Sequence, residues 1–201
     1  STGSTAPTNC SAGTTSETGA AQCTPCAGGT YQDEEGMTEC KACVAGYYCP
    51  TGAAAPLPCP ATTFSSATDN DGAADCTECP AGAYCSTGST APTNCSAGTI
   101  SAAVGADQCE ACAGGTYQDE EGMTVCKACD AGHYCQPRSA AALPCEAGSY
   151  SASMSLAQAE DCTPCPAGSF CVAGAIAPTN CSAGSHAAEE LSLIHISEPT
   201  R

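Results

Sequence analysis

The chain has 201 residues, of which 21 are cysteine, nine are Tyr or Phe and none is Trp. So few large apolar side chains cannot bury enough surface to offset the ordering entropy of a conventional core. The formal charge of −17, from 21 acidic and four basic residues, argues against nucleic acid or anionic lipid as partners, because both would be repelled.

Cysteine at this density is typical of a disulfide scaffold, which needs an oxidising compartment. We therefore expect an extracellular or cell-surface protein in which covalent bridges take the place of a core. No run approaches the ~20 apolar residues of a membrane helix, so no membrane insertion is expected within this stretch. The simplest interpretation is an internal fragment of a longer secreted or surface protein.

The sequence repeats itself on a long period. STGSTAPTNCSAGT at 1–14 recurs unchanged at 86–99, and CAGGTYQDEEGMT at 26–38 recurs at 112–124. Such self-similarity predicts a tandem array whose units contact mainly their neighbours. The predicted segments are copy one at 1–85, copy two at 86–171, the start of a third copy at 172–190, and an unrelated tail at 191–201.

A shorter repeat lies inside each copy, with the pattern Cys-x-x-Gly-x-aromatic. Its glycine is replaced only at Thr62, and the fifth residue after the cysteine is Tyr or Phe in eight of eleven cases. The glycine permits a turn with positive φ, and we expect the ring to fold back onto a nearby disulfide. The cysteines that begin the pattern, called openers below, are Cys10, Cys26, Cys43, Cys59, Cys79, Cys95, Cys112, Cys129, Cys145, Cys165 and Cys181.

The other ten cysteines, called closers, alternate with the openers. Joining each opener to the next closer leaves Cys181 unpaired. A rival scheme joins Cys49 to Cys59 and Cys85 to Cys95, and leaves Cys10 unpaired instead; spacing alone does not choose between them. The first scheme gives Cys10 with Cys23, Cys26 with Cys40, Cys43 with Cys49, Cys59 with Cys76, Cys79 with Cys85, Cys95 with Cys109, Cys112 with Cys126, Cys129 with Cys135, Cys145 with Cys162, and Cys165 with Cys171.

The run CPAGAYCSTGSTAPTNCSAGT, together with GTYQDEEGMTECKAC, resembles the ephrin-receptor-like cysteine-rich repeats of secreted and surface proteins. The Cys-x-x-Gly-x-Tyr loop is also similar to the first disulfide module of tumour-necrosis-factor-receptor repeats. The resemblance covers residues 1–190. It implies a small disulfide-rich fold: an elongated tandem array of short β-hairpin and loop modules, with little regular secondary structure and no conventional hydrophobic core.

Two metal sites are alternatives to this disulfide framework. Cys23, Cys26, Cys40 and Cys43 have nearly zinc-ribbon spacing, repeated by the cysteines at 109, 112, 126 and 129, but the compartment favours disulfides over zinc. Calcium is a weak alternative at two acidic stretches, since three consecutive acids are more often a solvated turn. The acids concerned are Asp69, Asp71, Asp75 and Asp161, and the two triplets Asp33, Glu34, Glu35 and Asp119, Glu120, Glu121.

Three sequons offer N-glycosylation at Asn9, Asn94 and Asn180, each with cysteine as its middle residue. Their asparagines are also ordinary turn residues, so both readings stay open. The three histidines, His133, His186 and His195, form no constellation with a nucleophile and an acid. We therefore expect no enzyme activity and no cofactor.

Two functions remain. Near-identical repeats favour an extracellular structural spacer or adhesion module, whose partners are the other domains of the parent chain. The receptor resemblance and the acidic field favour a ligand-binding ectodomain with a basic extracellular partner. A zinc-binding cysteine-rich protein ranks third.

The tail LSLIHISEPTR contains neither glycine nor cysteine. It breaks the repeat in mid-loop, before the closer that is due at 194 or 195. Its letters match the translation of a transposase-type sequencing-library adapter, which suggests assembly from environmental or transcriptomic reads. We therefore exclude this tail from fold reasoning.

Overall fold

The computed structural model describes residues 9–18 and 20–182. In that part of the chain the regular structure consists of ten antiparallel β-hairpins and two single 3₁₀ turns, at Ala73–Asp75 and Ala159–Asp161. Each hairpin joins two strands that follow one another in the chain, and each strand has two residues. The predicted fold class of small disulfide-rich hairpin modules with almost no helix is confirmed.

The strands up to residue 94 are β1 Thr14–Thr15, β2 Thr24–Pro25, β3 Thr30–Tyr31, β4 Lys41–Ala42, β5 Tyr47–Tyr48, β6 Leu57–Pro58, β7 Thr63–Phe64, β8 Thr77–Glu78, β9 Ala83–Tyr84 and β10 Thr93–Asn94. Those that follow are β11 Thr99–Ile100, β12 Glu110–Ala111, β13 Thr116–Tyr117, β14 Lys127–Ala128, β15 His133–Tyr134, β16 Leu143–Pro144, β17 Ser149–Tyr150, β18 Thr163–Pro164, β19 Ser169–Phe170 and β20 Thr179–Asn180.

A tight turn after the opener starts each hairpin. In the first module the Thr14 N–H donates to Ser11 O at 3.1 Å, and the Thr14 Oγ1 hydroxyl donates to the same carbonyl at 2.7 Å. Gly13, at the third position of this turn, has φ of +82°, which is the conformation that a type II turn requires there. The same hydroxyl contact recurs at Thr30, Thr63, Thr99, Thr116 and Ser149.

Successive hairpins are joined by backbone hydrogen bonds. The Cys26 N–H donates to Gly13 O at 2.9 Å, and the Gly13 N–H donates to Gln32 O at 2.7 Å. The aromatic strand also forms a parallel bridge to the next module, as between Tyr31 and Ala53. Backbone pairing therefore links successive modules up to residue 94, and again links successive modules from residue 95 onward.

Contacts divide the chain into two units, residues 1–94 with 103–108 and residues 95–102 with 109–201. The division of the sequence into copies ending at 85 and 171 stays a prediction. The contact units group residues that lie close together, whereas the copies group residues by repeated sequence, so the units do not test the copy boundaries. Among the described residues there is no helix with the length and apolarity needed to cross a bilayer.

Candidate functional site: the stapled module and its acidic loops

Ten disulfides join the modules' cysteines, with Cα–Cα separations of 5.6–6.0 Å. These separations lie in the usual range for disulfides. In the structure each opener bonds to the next closer, so Cys49 and Cys85 bond to Cys43 and Cys79 and not to the openers that follow them. The remaining bonds are Cys10 with Cys23, Cys26 with Cys40, Cys59 with Cys76, Cys95 with Cys109, Cys112 with Cys126, Cys129 with Cys135, Cys145 with Cys162, and Cys165 with Cys171.

Two of the disulfides with a sequence separation of 6, Cys43 with Cys49 and Cys79 with Cys85, lie in buried clusters. Cys43, Cys49 and Ala53 are buried together, with Tyr31 and Tyr47 packed against them. Tyr31 belongs to the preceding module, so its ring covers the disulfide of the next module and ties the two together. A second cluster repeats this arrangement, with Phe64 packed against Cys79, Ala83 and Cys85. The predicted ring-on-disulfide packing thus crosses a module boundary.

The opener glycine also contacts a module two places further along the chain. A Cβ added at Gly46 would lie 2.3 Å from Gly88 O, and one at Gly98 would lie 2.3 Å from Arg138 O. Real Cβ atoms do not come so close to a carbonyl oxygen, so the backbones can pack this tightly only where the residue is glycine. Thr62, the one exception in the pattern, still adopts a φ of +82°.

A buried glutamine organises each acidic loop. Gln118 is 1% exposed. Its Nε2 donates to Val125 O at 2.8 Å, and its Oε1 accepts from the Glu120 N–H at 3.0 Å. Gln32 does the same in the first copy, between Glu39 and Glu34. The Nε2 and Oε1 atoms of the buried amide thus both have hydrogen-bond partners in the loop backbone. The glutamine therefore holds the two sides of the loop together.

The acids of this loop are bound by lysine. The Lys127 Nζ lies 2.6 Å from Asp119 Oδ1 and 3.3 Å from Glu120 Oε1, and Lys41 contacts Asp33 and Glu34 in the same way. The hydrogen bond from Lys127 lowers the pKa of Asp119, and the same bond raises the pKa of Lys127. The loop therefore presents less negative charge than its sequence suggests.

The second acidic stretch has a structural use for its last aspartate. Asp75 Oδ2 accepts from the Asp71 N–H at 2.8 Å and from the Gly72 N–H at 3.1 Å, and these two bonds lower the pKa of Asp75. Asp161 closes the corresponding turn in the second copy by accepting from the N–H groups of Ala157 and Gln158. This shared role gives a reason for the aspartate in both copies.

Between Asp69 and Asp75 the surface forms a shallow depression, also lined by Asn70 and Asp71. Asn70 itself is buried and donates from Nδ2 to Tyr47 O at 2.8 Å. Over residues 9–18 and 20–182 no group of three or more His, Cys, Asp and Glu side chains is arranged to hold a metal ion.

The three sequon asparagines, Asn9, Asn94 and Asn180, are all exposed. Cys181 is a free thiol of intermediate exposure, and all 21 cysteines lie in the described part of the chain. His133 lies in β15 opposite Pro144, with its Nδ1 3.2 Å from Ala131 O. His186, His195 and the whole tail 191–201 lie outside the described residues.

Sequence reasoning missed the buried polar residue that follows the aromatic position. It is Gln32, Ser65, Gln118 or Ser151, each at most 6% exposed. Where the residue after the ring is not a closer cysteine, its polar character was visible in the repeat, but nothing in the pattern distinguishes an inward side chain from a solvated one. Phe170 also departs from expectation, because it is 49% exposed although the repeat was expected to commit its aromatic rings to packing.

The class of protein that this geometry defines is an extracellular-type array of disulfide-stapled hairpin modules. The family model described as "Tyrosine-protein kinase ephrin type A/B receptor-like" matches residues 13–47 and 98–142. These two segments therefore match ephrin-receptor-like cysteine-rich repeats, the family that the sequence resembles. A search of the curated proteins finds no significant match.

The matched modules are of a non-catalytic, extracellular type, and so many disulfides are typical of secreted or cell-surface proteins. The two matched segments occupy equivalent places in the two copies. Each begins at an opener glycine, Gly13 or Gly98, and each includes a buried glutamine and its acidic loop.

Proposed function

We propose that this chain is a structural spacer or adhesion module in the extracellular part of a larger protein. The observation that carries the proposal is the repetition of one joint along the array. In the joints within each contact unit, the next opener's N–H donates to the carbonyl of the residue at the glycine position, as from Cys43 to Gly29 and from Cys129 to Gly115, both at 2.9 Å. Identical joints supply length and stiffness without requiring distinct surfaces.

Contacts within the array also engage aromatic and acidic side chains that a binding site would otherwise use. The rings of Tyr31 and Phe64 pack on disulfides, and the lysines neutralise part of the acidic loops. The other domains of the parent chain are therefore the expected partners, held at a distance set by the number of modules.

Small-angle scattering of the full chain tests the spacer. A compact protein of this length has a radius of gyration of about 16 Å. We expect a monomer with a clearly larger value. A radius near the compact figure in the oxidised protein would contradict the proposal.

A ligand-binding ectodomain is the second candidate, and a specific observation favours it. Phe170, Val172 and Ile176 are 49%, 62% and 59% exposed and lie close in sequence around one hairpin. Such side chains suit an extracellular protein partner. Saturable capture of one secreted protein by the full chain, lost in Phe170→Ser but retained in Met154→Ser, would favour this function over the spacer.

A further inference from the structure

One loop between disulfides combines threonine with proline in a way that its equivalents do not. Residues 86–94, between Cys85 and Cys95, read STGSTAPTN. The equivalent loops at 50–58 and 136–144 read PTGAAAPLP and QPRSAAALP, with alanine in place of most of the hydroxyl residues. A stretch rich in Ser and Thr with Pro is typical of O-glycosylated segments in secreted proteins. Composition therefore makes 86–94 a candidate for sugar addition, and the structure decides which hydroxyl is accessible.

Both ends of this loop are held by hydrogen bonds. At its start the Ser89 N–H donates to Ser86 O at 3.1 Å, and the Ser89 hydroxyl donates to the same carbonyl at 2.7 Å. These two bonds close a turn around Thr87. At its end Thr93 lies in β10 and pairs with Tyr84 of β9. A hydroxyl at either end can therefore be lifted away from the module only if a turn or a hairpin opens.

The tip of the loop, residues 90–92, is held least. Thr90 and Ala91 are exposed, and neither forms a hydrogen bond with any other residue in the described part of the chain. Pro92 has no N–H and favours extended backbone at Ala91. The Cγ2 methyl of Thr90 lies 3.3 Å from the position that a Cβ on Gly46 would take. The methyl thus faces the neighbouring module, and the hydroxyl is left to solvent.

The threonines that follow the opener turns are placed differently. Thr99 is 2% exposed, and its hydroxyl donates to Ser96 O at 2.7 Å. The hydroxyls of Thr63 and Thr116 donate to backbone carbonyls in the same way, and all three threonines lie in paired strands. A glycosyltransferase must hold the acceptor residue and its neighbours in its own active site. Thr90 can be held so in the closed fold, whereas the turn threonines cannot.

We propose that Thr90 is a site of O-glycosylation and accepts an N-acetylhexosamine from a nucleotide-diphosphate donor. The Thr90 Oγ1 atom attacks the anomeric carbon of the sugar, and the new C–O bond forms as the bond from that carbon to the diphosphate oxygen breaks. The nucleotide diphosphate leaves with the bonding electron pair, and the hydroxyl proton passes to a base. The fold selects this threonine from the many in the chain, because its hydroxyl is exposed on a segment without backbone pairing.

The test is site-by-site glycopeptide mass spectrometry of the full chain secreted from an animal cell, after enzymatic removal of N-linked glycans. We expect an N-acetylhexosamine on Thr90, with an occupied fraction at least several-fold above that at Thr93 or Thr99. Thr90→Ala should remove the sugar from residues 86–94, and it is compatible with the fold because Ala54 takes the equivalent place in the loop 50–58. Absence of sugar on Thr90, or equal occupancy at Thr90 and Thr99, would overturn the proposal.

Two added threonines separate the effect of the loop tip from that of composition. Ala54→Thr places a threonine at the tip of the loop 50–58, followed two residues later by Pro56, and should create a second site. Ala81→Thr is the matched control. Ala81 is also exposed and adjoins Pro80, but it lies in a turn that the Ala83 N–H closes to Pro80 O at 3.2 Å.

We expect sugar at position 54 in the first variant and none at position 81 in the second. An unmodified Ala54→Thr variant, or equal occupancy in the two variants, would contradict selection by the loop tip.

The proposal rests on the extracellular class of the protein and not on the spacer function. Secretion of a chain with all ten disulfides and no sugar on Thr90 would end the glycosylation proposal and leave the spacer standing. A compact radius of gyration would have the opposite effect.

Discussion

Close approach of backbones two modules apart can be tested with one pair of glycines. Gly46 and Gly88 form the two sides of a single contact. Both have positive φ, +82° and +76°, so alanine at either position costs about 1–2 kcal/mol in backbone strain. Only Gly46→Ala also places its Cβ 2.3 Å from a carbonyl oxygen, whereas the Cβ of Gly88→Ala would lie 3.7 Å from Pro58 Cβ.

The overlap at Gly46 should add about 1–3 kcal/mol, the usual range for overpacking. Amide hydrogen exchange at Cys59 suits both variants, because its N–H donates to Gly46 O at 2.8 Å and its carbonyl accepts from the Gly88 N–H at 2.9 Å. Exchange reports local opening without assuming that the whole array unfolds in one step.

We expect the Cys59 amide to exchange at least about fivefold faster in Gly46→Ala than in Gly88→Ala, since about 1.4 kcal/mol corresponds to tenfold. Equal acceleration in the two variants would mean that backbone strain alone matters. The close contact between modules would then contribute nothing to stability, and the account of the joint would be wrong.

Three further predictions concern single side chains. Thr62→Gly should stabilise its module by up to about 1 kcal/mol in denaturant unfolding, because it relieves a positive φ, and a loss of stability would refute this. Gln118→Ala should cost about 2–4 kcal/mol through unsatisfied buried groups and a cavity, while Glu121→Ala on the exposed side of the loop should change stability little. Lys127→Met should return the pKa of Asp119 towards 3.8 in an NMR titration, and an unchanged pKa would show that the ion pair does not form in solution.

The directions of the pKa shifts of Asp119 and Lys127 determine how the stability of the fold depends on pH. Because folding lowers the pKa of Asp119 below 3.8, its contribution to stability is present above that pH and is lost as the pH falls further. Folding raises the pKa of Lys127 above 10.5, so the contribution of the lysine is present below that pH and is lost as the pH rises above it. Lys127→Met should reduce the dependence at both ends.

The sequence predicted the module because its main determinants are local. The glycine of a type II turn, the threonine after it and the ring that follows all lie within six residues of the opener. Each has one physical role that does not depend on distant parts of the chain. The family resemblance then supplied the expectation of tandem short hairpins.

What the sequence could not predict depends on contacts between modules. Gln118 looks like any polar residue at the start of an acidic run, and only the surrounding loop carbonyls make it a buried anchor. Asp75 was only a weak calcium candidate, and nothing in its spacing indicated that its carboxylate accepts two backbone N–H groups. Tyr31 was expected to cover a nearby disulfide. Only the packing shows that this disulfide belongs to the following module.

Disulfide mapping of the oxidised full chain, after alkylation of free thiols, tests the sequential stapling of modules most directly. We expect ten crosslinked peptide pairs, each joining an opener to the next closer, and one alkylated thiol at Cys181. Peptides joining Cys49 to Cys59 and Cys85 to Cys95, or many alkylated thiols accompanied by bound zinc, would contradict it.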